Sequence, residues 1–213
     1  MKDFDYSKVR NYKLYPFLMP LAKVVVKAMY RVEYIGLENV PKEGGYVVAS
    51  NHVSFFDPVI IGASGMRRVH CMGKAELFEK PVLGWLLVHL NAFPVKRGQS
   101  DKSSVEYAID CVKQGENIGI FPEGTRAKDY KPGQGKAGVA LISKATGADI
   151  IPVAIYSGGK KLSPFKTKVV VRFGEVIKYE DLGLTKGTSS ELREATRKIM
   201  AKITELWEEE DCK

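Results

Sequence analysis

Short apolar runs and segments with apolar residues at helical spacing alternate along the chain. This pattern predicts strands separated by helices. Six short apolar runs have the length and composition of buried strands, namely residues 46–50, 69–73, 91–95, 118–121, 150–156 and 168–173. Segments with apolar residues at helical spacing lie among and after them, at residues 58–64, 81–89, 103–114, 136–146 and 190–209. This alternation predicts an α/β sheet covered by helices.

Two glycines mark where predicted helices should end. Gly115 follows the helix at residues 103–114, and Gly147 follows the helix at residues 136–146. The chain has 213 residues, of which 45% are hydrophobic and 27% charged, enough for one sizeable core. Because no internal repeat, low-complexity tract or linker interrupts the pattern, we expect residues 31–213 to form a single α/β domain.

Residues 14–30 form a mostly apolar segment ahead of the first predicted strand. Lys23 and Lys27 interrupt it, and Pro16 and Pro20 break its early part, whereas a spanning helix needs about 20 predominantly apolar residues. The two lysines are four residues apart and share one face of a helix. The pattern predicts that residues 1–30 form an N-terminal membrane-interface segment, in which residues 14–30 are an amphipathic apolar helix. The alternative is a helix packed on the domain's own core.

The balance of charge predicts attraction to anions. The net charge is +8 and the isoelectric point is near 9.2, which suits nucleic acid, a phosphorylated metabolite or an anionic membrane. The basic residues are dispersed and form no recognisable nucleic-acid-binding motif. We therefore expect no nucleic-acid partner.

Cysteine and histidine usage gives no sign of a metal or a disulfide framework. Cys71, Cys111 and Cys212 are odd in number and lack CxxC spacing, which favours a reducing cytosol. The three histidines, His52, His70 and His89, also lack metal-ligand spacing. We expect no metal.

His52 and Asp57 are candidate catalytic residues because they follow a predicted strand and lie five residues apart. A histidine can take a proton from a hydroxyl at neutral pH, and a carboxylate on its other ring nitrogen fixes the tautomer. The structural alternative is equally open on these residues alone. Asp57 and Pro58 resemble a helix start, and Ser54 with Asp57 resembles a capping box.

Glu123 and Arg126 form a second candidate cluster, in Glu-Gly-Thr-Arg after the predicted strand at 118–121. Ligands of open α/β sheets gather beyond the carboxyl ends of strands. Either charge alone could equally be a solvated loop residue.

Together these segments resemble the 1-acyl-glycerol-3-phosphate (lysophosphatidate) acyltransferase family of the bacterial type. Its hallmarks are His-x4-Asp, here His52 to Asp57, and further on Glu-Gly-Thr-Arg, here residues 123–126. Residues 91–97 resemble its second block and residues 150–155 its fourth, in the same order. Pro94 departs from the aliphatic residue expected in the second block, while Arg97 is in place.

The resemblance implies a glycerolphosphate acyltransferase-like fold with a mixed, mainly parallel sheet. It implies transfer of a fatty acyl group from acyl-CoA or acyl carrier protein to the sn-2 hydroxyl of lysophosphatidate, giving phosphatidic acid. His52 would be the general base and Asp57 its orienting partner, with no acyl-enzyme and no cofactor. The implied substrate phosphate site comprises Lys74, Arg97, Glu123, Gly124, Thr125 and Arg126.

The same resemblance implies that the protein is a peripheral or monotopic enzyme at the cytoplasmic face of the cell membrane, where it contacts an anionic surface. Other readings are acylation of glycerol-3-phosphate or another lysophospholipid, thioester hydrolysis, and a non-catalytic membrane-binding protein. The phosphate-binding basic residues argue against hydrolysis, because water needs no anion clamp. Residues 133–138 also satisfy GxGxxG, but they follow a polar loop instead of a strand, so a nucleotide site is not expected.

Overall fold

The computed structural model describes residues 4–10, 13–96, 101–165 and 167–211. Its centre is a seven-stranded sheet in the order β1-β7-β6-β2-β5-β3-β4. All neighbouring strands are parallel except β6 and β7, which are antiparallel. The strands are β1 (Arg31–Ile35), β2 (Val47–Ser50), β3 (Val69–Lys74), β4 (Ala92–Val95), β5 (Asn117–Ile120), β6 (Ile150–Tyr156) and β7 (Lys168–Phe173).

Helices cover both faces of the sheet because successive residues of a strand point to opposite sides. The helices are α1 (Tyr15–Met29), α2 (Asp57–Gly62), α3 (Ala75–Phe78), α4 (Pro81–His89), α5 (Lys102–Lys113), α6 (Gly138–Thr146) and α7 (Ser189–Asp211). Val47 and Ala49 of β2 belong to a core with α5, α6 and α7, whereas Val48 belongs to a core with α1 and α2. Short 3-10 helices are Tyr6–Arg10, Leu37–Asn39 and Tyr179–Leu182.

The predicted fold class and all six predicted strands are confirmed, within one residue at their ends. Among the strands and α-helices, two were missed, the half-exposed edge strand β1 and the single-turn helix α3. The helix predicted from residue 136 begins at Gly138. Gly115 and Gly147 follow helices with positive φ, as predicted. The unexpected Pro94 lies in β4, at the edge of the sheet, where a missing N–H is tolerated.

Helix α1 has two apolar sides. Val26 and the following Tyr30 are buried in the core beside α2, and Met19 packs close to Gly62. Phe17, Leu21 and Val24 are exposed. One side of α1 therefore packs on the core while the other side is exposed. That residues 1–30 form a separate membrane-interface segment stays a prediction. Within the residues described, no helix is long and apolar enough to cross a membrane.

Candidate active site

Three neighbouring strands bring the described residues of the predicted site to one edge of the sheet. Strands β2, β5, β3 and β4 are adjacent and parallel, so their carboxyl ends meet at the same edge. His52 follows β2, Glu123 follows β5 and Lys74 ends β3. Arg97 falls after β4 in sequence and lies outside the described residues.

His52 and Asp57 form a buried hydrogen-bonded pair. The distance between Nδ1 of His52 and Oδ2 of Asp57 is 2.6 Å, and the Asp57 carboxylate is fully buried. The same oxygen accepts hydrogen bonds of 2.7 Å from the backbone N–H groups of Val53 and Ser54. These contacts fix the carboxylate against the loop that carries His52, and with it the orientation of the imidazole.

The alternative interpretation of this segment, as a helix start, is partly correct. Asp57 is the first residue of α2 and Pro58 follows it. Only half of the capping box forms: the Asp57 carboxylate accepts from the backbone N–H of Ser54, whereas the Ser54 hydroxyl accepts from the backbone N–H of Phe56, at 3.2 Å. Asp57 therefore serves the turn and the histidine at once, through a single oxygen.

Phe121 stacks on the His52 ring. The ring centroids are 4.1 Å apart and the planes differ by 22°. This aromatic contact covers one face of the imidazole, while Asp57 is hydrogen-bonded to its Nδ1 edge. Sequence reasoning missed this role, since Phe121 was predicted only as the end of a strand.

Glu123 points at the protein backbone. Its Oε1 accepts a 3.2 Å hydrogen bond from the backbone N–H of His52, and the backbone of Gly133 also donates to its carboxylate. Burial raises the pKa of Glu123 to about 7, against the lowering effect of these two hydrogen bonds. Glu123 therefore joins the loops after β2 and β5 beside the imidazole.

Asn51 joins the loop after β2 to the neighbouring strand β6. Its side-chain Nδ2 donates to the carbonyl of Ile155 at 2.9 Å, and its Oδ1 accepts from the N–H of Ile155 at 2.7 Å. This buried pairing connects the block that contains His52 with the block at residues 150–155. The sequence placed the two blocks in order but gave no sign of this contact.

His52, Lys74 and Arg126 line one cavity of about 200 Å³. Lys74 also forms a 3.1 Å ion pair with Glu76. Gly124 lines a neighbouring cavity of about 330 Å³ together with Lys136, while Thr125 is exposed. The structure therefore brings two of the predicted cationic residues to the histidine.

The rest of the cavity around His52 is mainly apolar, and its apolar lining includes Val59, Cys71, Met72, Leu77, Leu87 and Ala92. Burial raises the pKa of the Cys71 thiol to about 12, so that this thiol is not a reactive thiolate. In the described ranges, no three His, Cys, Asp or Glu side chains cluster so as to hold a metal ion. The site combines a base, cations and an apolar wall.

A buried His–Asp pair with cations at the carboxyl edge of an α/β sheet has the groups that acid–base chemistry on an anionic substrate needs. The model of the Acyltransferase family matches residues 31–156, more than half of the chain. The chain belongs to this acyltransferase family, and the predicted membership is confirmed.

Several relatives carry more specific names. A 1-acyl-sn-glycerol-3-phosphate acyltransferase of Bacillus subtilis is 33% identical over 171 residues, covering 79% of this chain and 84% of that protein. A chloroplastic enzyme of the same name from Brassica napus is 30% identical over 168 residues, and the match covers 77% of this chain and 48% of that protein. The chain thus spans about half the length of that plant relative.

A solved structure shows the same fold. The crystal structure of the 1-acyl-sn-glycerophosphate acyltransferase from Thermotoga maritima superposes with a TM-score of 0.74 at 24% identity. It covers 94% of this chain, and the match includes 83% of that chain. This similarity confirms the mixed, mainly parallel α/β architecture.

Proposed function

We propose that the chain transfers a fatty acyl group from an acyl thioester to the sn-2 hydroxyl of 1-acyl-glycerol-3-phosphate, giving phosphatidic acid. The observation that carries the proposal is the 2.6 Å His52–Asp57 pair in a cavity that also contains Arg126. The names of the Bacillus subtilis and Brassica napus relatives support the choice of acceptor.

His52 acts as the general base. The Asp57 carboxylate accepts a hydrogen bond from the protonated Nδ1 of His52. The other ring nitrogen, Nε2, then takes the proton from the acceptor hydroxyl. The hydroxyl oxygen then attacks the thioester carbonyl, the carbon–sulfur bond breaks, and the imidazolium returns its proton to the departing thiolate. Direct transfer of this kind forms no acyl-enzyme, which is consistent with the unreactive Cys71.

The acceptor phosphate is held by Arg126 and Lys74. Arg gives a phosphate two parallel hydrogen bonds and Lys gives a point charge. Both side chains line the cavity of His52, so a phosphate bound there would keep the neighbouring glycerol hydroxyl near the base. Arg97 remains part of the proposed clamp on the strength of its position in the sequence.

The apolar wall of the same cavity receives acyl carbon atoms. Val59, Leu77 and Leu87 contribute aliphatic side chains to it, and each methylene group removed from water stabilises the complex by about 0.8 kcal/mol. The acyl chain of the thioester donor can occupy this surface whichever acceptor binds, so the lining fits an acyl substrate in general. The choice of lysophosphatidate over glycerol-3-phosphate rests on the names of the relatives.

The enzyme works at the cytoplasmic face of a membrane through the exposed side of α1. Phe17, Leu21 and Val24 are exposed there, and Lys23 and Lys27 add positive charge beside them. Apolar contact and attraction to anionic headgroups add in such helices. No cofactor is required, because the thioester of coenzyme A or acyl carrier protein supplies the activated acyl group.

Product analysis with purified protein tests the proposal. Lysophosphatidate in vesicles should yield phosphatidate when acyl-CoA or acyl carrier protein thioester is added. Release of free fatty acid without phosphatidate from both donors would show a hydrolase instead. Equal acylation of glycerol-3-phosphate would overturn the choice of acceptor.

A further inference from the structure

Two separate helices expose large apolar side chains. On α1, Phe17 is 74% exposed and Leu21 is 59% exposed; on α4, Val82 is 82% exposed and Trp85 is 51% exposed. Val82 and Trp85 are three residues apart and therefore share one face of α4. Clustered apolar exposure of this kind marks a surface that contacts a partner or a lipid.

Helices α1 and α4 flank the same interior space. Met19 of α1 and Leu87 of α4 line one small cavity of about 30 Å³, together with Gly62 of α2. Leu87 also lines the cavity of His52. The inner sides of α1 and α4 therefore border the same space next to the His52 cavity.

Two phenylalanines extend the apolar surface between α1 and the active site. Phe55 and Phe56 are exposed, and their rings contact each other at 5.7 Å. The ring of Phe56 lies 6.1 Å from that of Tyr30, directly after α1, and Phe55 lines the cavity of His52. The mouth of the catalytic cavity is therefore apolar on this side.

The charges around this surface suit an anionic bilayer. Helix α1 contains Lys23 and Lys27 and no acidic residue, and α4 contains no Asp, Glu, Lys or Arg. The ring centroids of Trp85 and His89 are 4.4 Å apart, on a helix that an exposed Glu-Lys pair at residues 79–80 precedes, so the net positive charge of this surface comes from α1. Tryptophan is enriched at membrane interfaces, where its ring is buried and its N–H stays hydrated.

We infer that α1, α4, Phe55 and Phe56 form one membrane-docking face, with the mouth of the His52 cavity against the lipid. The inference rests on the proposed function, in which the acceptor is a lipid, and assigns the second half of the contact to α4. Two contacts on either side of the mouth would fix the orientation of the enzyme, which a single helix lying on the surface would not do.

The fluorescence of Trp85 tests the depth of α4 directly. The chain has two tryptophans, and Trp207 is buried, so subtracting the spectrum of the folded Trp85→Phe variant isolates Trp85. With vesicles of phosphatidylglycerol and phosphatidylcholine, Trp85 emission should shift to the blue and be quenched by brominated acyl chains. Vesicle-bound protein whose Trp85 emission does not change would overturn the inference.

A charge placed in α4 provides the second test. Val82→Glu should weaken binding to the same vesicles by about tenfold, because a carboxylate opposes both apolar burial and the anionic surface. Leu141→Glu is the matched control, since Leu141 is exposed on α6, which packs against α5 and α7 on the other face of the sheet. Equal binding by the two variants would contradict the docking face.

Activity separates this inference from the proposed function. Val82→Glu should lose activity on vesicle-borne lysophosphatidate and keep it on a short-chain soluble analogue, which also shows that the variant is folded. If Trp85 entered the bilayer but the wild-type protein made no phosphatidate, the docking face would stand and the proposed activity would fail. Equal loss on both substrates would contradict a role confined to docking.

Discussion

The backbone N–H of His52 donates a 3.2 Å hydrogen bond to Oε1 of Glu123, so the loop after β2 is tied to the loop after β5 directly behind the imidazole. Asn51 ties the same loop to Ile155 in β6, and Asp57 ties it to the start of α2. His52 is therefore held from three neighbouring elements. Such fixing limits motion of the base and lowers the cost of reaching the reactive geometry.

Glu123 should make stability depend on pH. Its pKa is raised from 4.5 to about 7, mainly by burial. The folded state holds this proton more tightly than the unfolded chain, so the stabilising contribution is full below pH 4.5 and is lost as the pH rises to about 7. Between these values, the free energy of unfolding should fall less steeply for Glu123→Gln than for the wild type. Urea denaturation at a series of pH values measures both slopes, and equal slopes would contradict the assigned pKa.

Asn51→Ala should destabilise the protein. The change leaves the buried N–H and C=O of Ile155 without their side-chain partner, at a cost of about 1–3 kcal/mol for each unsatisfied group. Denaturant unfolding checks the value, and Ser54→Ala, which removes one exposed hydrogen bond, should cost far less. A loss below about 1 kcal/mol for Asn51→Ala would mean that water or a rearranged loop replaces the contact.

Arg126→Ala should chiefly raise the KM for lysophosphatidate. A phosphate contact made equally in the ground and transition states contributes to binding and leaves kcat unchanged. The KM for monoacylglycerol, which lacks the phosphate, should change little. Lys128→Ala is the control, since it removes a nearby exposed positive charge that does not line the cavity. The same increase for both acceptors would refute the phosphate contact.

Lys23→Glu combined with Lys27→Glu should reduce vesicle binding and its dependence on salt. Both lysines are exposed on α1, and attraction to anionic lipid is screened over about 10 Å at 0.1 M salt. Lys113→Glu with Arg193→Glu makes the same change in net charge on α5 and α7, and should leave binding nearly unchanged. Sedimentation with anionic vesicles at low and high salt measures the effect. Unchanged salt dependence in the α1 variant would place the electrostatic contact elsewhere.

The sequence was sufficient where the signal is local. Buried strands such as β5 and β6 are continuous apolar runs, and the His-x4-Asp and Glu-Gly-Thr-Arg blocks lie at strand ends that a parallel sheet brings to one edge. Strand β1 was missed because its half-exposed residues depend on pairing with β7, more than a hundred residues later. Helix α6 begins two residues later than predicted, with Ala137 as its N-cap, and the carbonyl of Ala137 accepts from the backbone N–H of Leu141.

Side-chain direction was the part that the sequence could not provide. Glu123 was predicted in a phosphate site, and its carboxylate accepts hydrogen bonds from the His52 and Gly133 backbone. Phe121 and Asn51 had no expected role, and they stack on His52 and pair with Ile155. These contacts join residues that are far apart in the sequence. The pattern of a single sequence does not indicate which distant residues are in contact.

The turnover of His52→Ala is the most direct test of the account, measured as phosphatidate formed from lysophosphatidate and an acyl thioester by purified protein. The account predicts a loss of about 10² to 10⁴-fold in kcat, typical for a positioned general base, with an unchanged circular dichroism spectrum and thermal midpoint within a few degrees of the wild type. Near wild-type turnover by a folded His52→Ala protein would contradict it.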